Sequence, residues 1–333
     1  MSQGDTILVV GGAGYIGSHC LWELRQRGFK TLCYDNLSEG HRAACGDTPF
    51  IEGSLDDEAK LDKLFAEHDI RAVFHFAAHC YVGESCEDPE KYYFNNVGST
   101  LVLLRAMRRA GVMRFIFSST AATFGNPVHD TIDEAHPQDP INPYGRTKLM
   151  IEHILKDYQS AYGMEHVILR YFNAAGAAEG GVIGEDHEPE THLIPLVLKV
   201  ALGQRDDIKM FGDDYETIDG TCVRDYIHIL DLADAHIKGL EYLEGGGVSS
   251  AFNLGNGTGY SVREVIDTVA KVTGKPIKSE AVARRAGDPA ILIADYKRAQ
   301  EVLNWKPKYG DLETIVRTAW EWAESHPNGY GDR

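Results

Sequence analysis

The sequence lacks the features that mark several classes of protein. Within its 333 residues no uninterrupted apolar run reaches the length of about 18 residues that a membrane span needs. No basic region or cleavage site precedes the first apolar segment, so we expect no export signal. Positive charge is also scarce, with 33 lysines and arginines against 50 acidic residues and a formal net charge of −17. Such a surface repels nucleic acid and anionic membranes, and we expect a cytoplasmic protein that binds neither.

Cysteine is both scarce and scattered. The six cysteines form no Cys-x-x-Cys pair, which favours reduced thiols over a disulfide framework. His75 and His79 have the spacing of a helical metal pair, but they end an apolar run typical of a strand. No glutamate lies between them to act as a general base, and we therefore predict no metal site.

Glycine, in contrast, is concentrated where a phosphate could approach the backbone. The apolar, β-branched residues 6–10 are typical of a buried parallel strand and lead directly into Gly11-Gly12-Ala13-Gly14-Tyr15-Ile16-Gly17. Glycines at these spacings allow a tight turn, close approach of a pyrophosphate and close contact between helix and strand. The helix that follows would direct its N-terminal amides at the phosphates. The pattern predicts a dinucleotide site.

An acidic residue after the second strand fits the same site. Residues 30–34 are typical of a strand and end in Asp35, which would bind the adenosine ribose and repel a 2′-phosphate, so that NAD is favoured over NADP. Strand-like and helix-like segments then alternate up to residue 175. We predict an α/β protein with a Rossmann-type, doubly wound parallel sheet in a domain of residues 1–175. A smaller mixed α/β domain would follow over residues 176–333, with some C-terminal elements free to return to the first domain.

A tyrosine and a lysine four residues apart carry the catalytic signal. They lie in the run Asn142-Pro143-Tyr144-Gly145-Arg146-Thr147-Lys148, which begins with a favoured helix N-cap and a proline suited to the first helical position. The spacing puts Tyr144 and Lys148 on one helix face. The ammonium would favour the phenolate and make the tyrosine a general base. Taken alone, the pair could equally be an exposed first helical turn.

A hydroxyl cluster, Ser118-Ser119-Thr120, follows a strand that we expect to end at Phe117. With Tyr144 and Lys148 it completes a hydroxyl–tyrosine–lysine set, and here the chain resembles the extended short-chain dehydrogenase/reductases. Among these it is most similar to the UDP-glucose 4-epimerases. Besides the runs already given, the matching ones are Val82-Gly83-Glu84-Ser85, Asn95-Asn96-Val97, Arg170-Tyr171-Phe172-Asn173, Gly184-Glu185-Asp186, Val223-Arg224-Asp225-Tyr226-Ile227-His228 and Arg284-Arg285-x-Gly287-Asp288.

The resemblance implies an isomerase that holds NAD tightly and interconverts UDP-galactose and UDP-glucose through a 4-keto sugar. It implies that Tyr144 takes the proton of the sugar 4′-hydroxyl, that Thr120 hydrogen-bonds the 4′-oxygen, and that Lys148 also binds the nicotinamide ribose. It further implies a homodimer built from the tyrosine's helix and the helical segment of residues 92–110. The apolar stripe of the tyrosine's helix could face the sheet instead; it consists of Ile151, Ile154, Leu155, Tyr158 and Tyr162.

The resemblance also implies two sets of binding residues. The residues expected to contact NAD are Gly11, Gly14, Tyr15, Ile16, Gly17, Asp35, Asn36, Ser54, Leu55, Phe76, Ala77, Ala78, Cys80, Asn95, Tyr144, Lys148 and Phe172. The residues expected to contact the UDP-sugar are Thr120, Tyr144, Asn173, His192, Leu193, Phe211, Arg224, Arg285, Asp288 and Leu292. The two arginines suit the diphosphate, because a guanidinium donates to phosphate in a bidentate way.

Several positions depart from the pattern that is common in the family. Ser54 stands where many relatives carry an aspartate for the adenine amino group, and Cys80 where some have a lysine. Thr120 replaces the more familiar serine, and His192 an asparagine. Leu292 aligns with a position of the sugar pocket where a large tyrosine restricts some members to glucose and galactose, and where a small cysteine admits N-acetylhexosamines in others. The leucine side chain is intermediate in size.

Three alternatives stay open at this point. The same reaction could act on UDP-N-acetylglucosamine or a UDP-pentose. A 4,6-dehydratase of nucleotide sugars would need an acid and a base beside the threonine, where this chain has Ala121-Ala122. A non-catalytic NAD-binding protein would have no use for Tyr144.

Overall fold

The computed structural model describes residues 5–285 and 288–332, so that Gly287 of the matching runs lies outside the described residues. Its strands are β1 Thr6–Val10, β2 Lys30–Asp35, β3 Phe50–Glu52, β4 Ile70–His75, β5 Arg114–Thr120, β6 Thr131–Ile132, β7 Glu165–Tyr171, β8 Asn173–Ala175, β9 Ile208–Phe211, β10 Val223–His228, β11 Ser250–Leu254, β12 Gly259–Ser261, β13 Ser279–Val282 and β14 Ile291–Ala294. Its α-helices are α1 Tyr15–Gln26, α2 Glu58–Glu67, α3 Val82–Glu87, α4 Pro89–Tyr92, α5 Ser99–Ala110, α6 Pro143–Tyr162, α7 Leu193–Ala201, α8 Ile229–Glu244, α9 Val262–Thr273, α10 Lys297–Leu303 and α11 Leu312–Ser325.

The main sheet has seven parallel strands in the order β11-β7-β5-β4-β1-β2-β3. The chain proceeds outward from β1 to β3 and then returns to β4 on the other side of β1. The connections after β1 and β4 therefore diverge and leave a crevice at the carboxyl ends of these strands, which is where doubly wound sheets bind ligands. The predicted Rossmann-type sheet is confirmed.

Both faces of this sheet are covered, as its continuous apolar strands require. Successive side chains of β1 point to opposite faces of the sheet and enter two cores, with Ile7 and Val9 in one and Leu8 and Val10 in the other. Helices α1 and α8 lie over the first core, and α2, α5 and α6 contribute to the second. Across the described residues, no helix is both long and apolar enough to cross a membrane.

Two local expectations differ from the structure. The strand expected to end at Phe117 continues to Thr120, because residues 118–120 keep their register with β7. The single helix expected over residues 92–110 is divided, since the segment Tyr93–Gly98 forms a π-helical turn between α4 and α5. The first difference brings three hydroxyl side chains into the sheet. The second rotates the residues around Asn96 relative to a regular helix.

The second half of the chain builds smaller sheets and returns to the large one. Strand β10 pairs with β12, β14 and β8, and α7, α9 and α11 enclose a separate apolar core. Strand β11 joins the edge of the main sheet beside β7, and α8 packs on α1. Residues beyond 175 therefore contribute both to the main sheet and to the smaller sheets. A boundary near residue 175 remains our proposal for where the substrate domain begins.

A buried ion pair fastens α6 to the sheet. Glu152 is fully buried, and its carboxylate accepts hydrogen bonds from Arg170 of β7 at 2.6 and 3.0 Å. Ser119 of β5 donates to the same carboxylate at 2.6 Å, and Gln138 donates at 3.1 Å. One carboxylate thus connects a helix with two neighbouring strands, and its charge is matched by the guanidinium.

We predict that Glu152→Gln lowers the free energy of unfolding by about 3 kcal/mol, since it leaves the Arg170 guanidinium buried without its counter-charge. Urea denaturation followed by circular dichroism measures the loss. The matched control is Glu67→Gln, whose partner Lys63 lies 3.8 Å away in an exposed pair on α2 and contributes no more than about 0.5 kcal/mol. Equal losses in the two variants would contradict a special role for the buried pair.

Candidate active site

The glycine turn after β1 is shaped by close backbone contacts. A Cβ on Gly11, whose φ is +74°, would lie 2.4 Å from the amide nitrogen of Ala77, and a Cβ on Gly17 would lie 2.1 Å from the carbonyl oxygen of Gly11. Gly14 is different, because its nearest neighbour would be 3.6 Å away. The protein itself would tolerate a side chain at Gly14, so the space there suits a ligand that approaches the backbone. No side chain caps this end of α1.

The acidic residue predicted to bind ribose lies at the edge of this turn. One carboxylate oxygen of Asp35 accepts a hydrogen bond from the amide of Ala13 at 2.9 Å, and the other accepts one from Leu37 at 2.8 Å. Each oxygen keeps a second lone pair for a ligand hydroxyl. Asn36 donates to the Ser54 hydroxyl at 3.0 Å, so these two predicted residues are also brought together.

The tyrosine, the lysine and the threonine converge at the carboxyl end of β5. Asn142 accepts a hydrogen bond from the amide of Gly145 at 2.8 Å, which confirms the predicted N-cap of α6. The Thr120 hydroxyl lies close enough to Tyr144 to lower the pKa of the phenol. The Lys148 ammonium donates to the carbonyl oxygen of Ser118 at 2.9 Å and lies 6.0 Å from the centre of the Tyr144 ring.

Burial opposes the electrostatic effect that we expect Lys148 to have on Tyr144. Burial raises the pKa of Tyr144 well above its usual 10, the neighbouring Tyr171 and Cys80 raise it further, and the Thr120 side chain lowers it. Burial also lowers the pKa of Lys148 from 10.5 to about 8. Loss of hydration therefore works against the phenolate, and the role of Lys148 in lowering the pKa of Tyr144 stays a prediction.

A buried asparagine that the sequence reasoning passed over fixes the loop after β4. The side chain of Asn96 accepts a hydrogen bond from the amide of His79 and donates to the carbonyl of His79 and to the hydroxyl of Thr147 in α6. The predicted Asn95 only donates to Asn96, at 2.9 Å. The doublet was visible in the sequence, but the π-helical turn decides which asparagine faces inward.

The residues predicted for the diphosphate lie on and beside β10. Arg224 donates to the carbonyl oxygens of Val223 and Pro289 at 2.9 and 2.8 Å, and its guanidinium lies 3.6 Å from the carboxylate of Asp288. Arg285 lies over the ring of Phe211, 3.8 Å from its centre. Stacking occupies the flat face of the guanidinium and leaves its edge suited to a planar hydrogen-bond partner.

A small apolar cluster joins the residues predicted to bind the cofactor with those predicted to bind the sugar. Leu292, in register with Arg224, packs with Phe172 against Ala121 and Phe124. A residue predicted at the sugar pocket and one predicted at the cofactor thus share one apolar patch. Asn173, directly after Phe172, is held by a hydrogen bond to the carbonyl oxygen of Asp225 at 2.8 Å.

Other predicted residues have partners within the protein. The hydroxyl of Tyr15 donates to the carbonyl oxygen of Gly176 at 2.6 Å, which ties α1 to the start of the second half. His192 precedes α7, where Nδ1 lies 2.9 Å from the carboxylates of both Glu185 and Glu190. Of the remaining members, Leu193 and Ile16 pack against apolar cores, Leu55 is buried, and Phe76 and Ala78 flank Ala77 beside the glycine turn.

The two histidines considered as a metal pair find separate partners. His75 is fully buried at the end of β4, with Nε2 3.1 Å from the Thr100 hydroxyl. His79 lies in the following loop, with Nδ1 3.7 Å from Glu39. Cys80, next to it, is exposed, and it lies close enough to Lys148 for each group to shift the pKa of the other.

Known proteins share both this sequence and this fold. The model of the NAD dependent epimerase/dehydratase family matches residues 7–255. The UDP-glucose 4-epimerase of Halalkalibacterium halodurans is 54% identical over 324 residues, covering 97% of each chain. The crystal structure of the Brucella ovis UDP-glucose 4-epimerase in complex with NAD is 51% identical with a TM-score of 0.93, covering 95% of this chain and 97% of that one. The Bifidobacterium longum enzyme in complex with NAD+ and UDP is 39% identical with a TM-score of 0.91, covering 98% and 100%.

The depressed pKa of Lys148 predicts how stability changes with pH. Below about pH 8 the lysine is protonated both folded and unfolded, whereas between about pH 8 and pH 10.5 the unfolded chain holds the extra proton. The contribution of Lys148 to stability therefore rises with pH across this window, by up to about 3 kcal/mol. In denaturation experiments without added ligand, the free energy of unfolding of wild type should increase relative to that of Lys148→Met over that range. Lys63→Met, on an exposed lysine, is the control; a constant difference between wild type and Lys148→Met would refute the shift.

Proposed function

The chain belongs to the NAD dependent epimerase/dehydratase family, and we propose that it interconverts UDP-galactose and UDP-glucose by inverting carbon 4 of the sugar. The observation that carries this proposal is the convergence of Thr120, Tyr144 and Lys148 at the same edge of the sheet as the glycine turn. A proton acceptor, a hydroxyl and a cation then lie together beside a dinucleotide site, as oxidation of an alcohol requires.

The cofactor side of the crevice fits NAD. The room at Gly14 and the uncapped end of α1 suit the pyrophosphate, and the Asp35 carboxylate suits a ribose with free hydroxyls. Bound there, NAD would supply the acceptor and then the donor of the hydride that carbon 4 of the sugar gives up and regains on its other face. Lys148, whose ammonium already donates to the carbonyl of Ser118, has further N–H donors for the nicotinamide ribose.

Tyr144 moves the proton that accompanies this hydride. It accepts the proton of the 4′-hydroxyl as the sugar becomes a ketone, and it returns that proton to the oxygen when the hydride comes back. Thr120 holds the 4′-oxygen by a hydrogen bond. Because burial keeps the pKa of Tyr144 high in the protein alone, the phenolate has to form in the ligand-bound site, where additional positive charge favours it.

The nucleotide is bound on the other side by charge and stacking. Arg224 and Arg285 donate to the UDP diphosphate, while Phe211 supports Arg285 and Asp288 supports Arg224. Leu292 closes the sugar pocket against the Phe124 cluster, and we propose glucose and galactose as the preferred sugars. A dehydratase is disfavoured, since the positions after Thr120 are alanines.

The assay that tests this proposal supplies UDP-galactose to purified protein, with and without added NAD, and measures UDP-glucose. We expect turnover by wild type and a loss of about 10²- to 10⁴-fold in kcat for Tyr144→Phe, which removes the general base. UDP binding by calorimetry should be unchanged in that variant. Tyr158→Phe, on the same helix, is the matched control.

No turnover by wild type with NAD present would refute the epimerase, and full activity of Tyr144→Phe would refute the role of this tyrosine. UDP-N-acetylglucosamine, run in parallel, measures the breadth that Leu292 allows.

We further propose a cytoplasmic homodimer. The cysteine pattern supports the compartment, because six scattered cysteines without a Cys-x-x-Cys pair favour reduced thiols. The stripe named above turns partly to the sheet, since Ile151 and Leu155 are fully buried. The support for a dimer comes instead from other apolar side chains of the same two helical segments. Phe94 and Met150 are 72% and 43% exposed.

We predict a mass of twice 36.9 kDa by light scattering at micromolar concentration. Phe94→Asp should shift the mass towards one chain, because it would bury a charge in the interface. The matched control is Val248→Asp, at an equally exposed position after α8 that should leave the mass unchanged. A single-chain mass for wild type would refute the dimer.

A further inference from the structure

Four side chains of the loop between β8 and α7 converge into a cluster that takes no part in the proposed proton and hydride transfers, although His192 is also a predicted substrate contact. They are Glu185, His187, Glu190 and His192, and one ligand atom from each lies within 4.8 Å of the others. Among residues 5–285 and 288–332, this is the one group of three or more such side chains arranged in this way. The four are close in sequence as Glu-x-His-x-x-Glu-x-His, a pattern that the glycine- and acid-rich texture of this loop obscured.

The distances between histidine nitrogens and glutamate oxygens in the cluster are close to those of a small tetrahedral centre. Nδ1 of His187 lies 3.1 Å from Glu185 and 3.7 Å from Glu190, and Nδ1 of His192 lies 2.9 Å from an oxygen of each glutamate. Ligands at about 2.0–2.1 Å from a zinc ion in tetrahedral geometry are separated from one another by about 3.3 Å. One ligand atom from each residue lies within 4.8 Å of the others, so small side-chain adjustments would bring all four around one ion.

The burial and charge of the cluster call for a cation. The side chains of Glu185 and Glu190 are only 8% and 3% exposed. Two buried carboxylates need two positive charges, which either two protonated imidazoles or one divalent ion with two neutral imidazoles can supply. A divalent ion replaces two protons in the same space.

Surrounding groups hold the ligands in place. The Glu190 carboxylate accepts hydrogen bonds from the amides of Thr191 and His192 at 2.7 Å each, and the indole of Trp322 donates to the carbonyl of Glu185 at 3.2 Å. The ring of Tyr15 lies edge-on to His187, with the ring centres 6.1 Å apart. His192 is 44% exposed and leaves one side open for entry. Outer contacts of this kind are what orient metal ligands in proteins.

We propose that Glu185, His187, Glu190 and His192 bind one zinc ion in a tetrahedral, structural site. Two nitrogen and two oxygen ligands without a bound thiolate suit zinc, and a site with four protein ligands is closed to catalysis. The ion joins the two ends of the 185–192 loop, which leads directly into α7. It also fixes that loop against Tyr15 in the first turn of α1.

Metal content of the full-length, tag-free protein tests the site directly. The protein is saturated with ZnCl2, dialysed against zinc-free buffer and analysed by mass spectrometry of the elements. We expect one zinc per chain, a lower midpoint of thermal unfolding after treatment with EDTA, and recovery on adding zinc back. Replacement by cobalt should give the intense visible absorption of a four-coordinate ion. No retained zinc, or the weak spectrum of six-coordinate cobalt, would overturn the proposal.

Two variants assign the site to these residues. Glu190→Gln and His187→Ala should each weaken zinc binding by more than about tenfold. Glu188→Gln, at an exposed position within the same loop, is the matched control and should bind like wild type. Zinc retained equally by both ligand variants would overturn the assignment. Should either variant fail to fold, the metal content and cobalt spectrum of wild type still decide.

Discussion

The position of the reactive side chains depends on the buried pair of Glu152 and Arg170. Glu152 lies eight residues after Tyr144 and four after Lys148, so all three occupy one face of α6. Its carboxylate binds Arg170 of β7 and Ser119 of β5, the residue directly before Thr120. A single charged contact thereby sets the helix that carries the tyrosine and lysine against the strand that carries the threonine. Exchanging it for apolar groups could preserve stability while losing this register.

The same burial that fixes these groups also governs their protonation. Tyr144 and Lys148 are almost completely enclosed, and loss of hydration is the largest influence on the pKa of both. It favours the neutral form of each, so formation of the phenolate depends on positive charge close to Tyr144. Attraction between a lysine and a tyrosine cannot be judged from their spacing, because the spacing contains no information about solvent.

Sequence reasoning succeeded where local chemistry determines structure. The glycine turn, the Asn142 cap and the strand that ends in Asp35 are all specified within a few residues, and the structure has each of them. It failed where tertiary pairing decides. The register with β7 extends β5 to Thr120, and a π-helical turn makes Asn96 rather than Asn95 the inward residue. Neither effect leaves a periodic signal in the sequence.

The four-residue cluster shows a different limit of the sequence. Searching for histidines at helical spacing led to His75 and His79, which the fold separates, and passed over His187 and His192, which the loop brings together. A loop has no fixed period, so ligand spacing in it carries little weight until the backbone is known. The predicted sugar contact His192 illustrates the consequence. Its Nδ1 is occupied by two carboxylates, and any contact with a substrate has to be made by the rest of the ring.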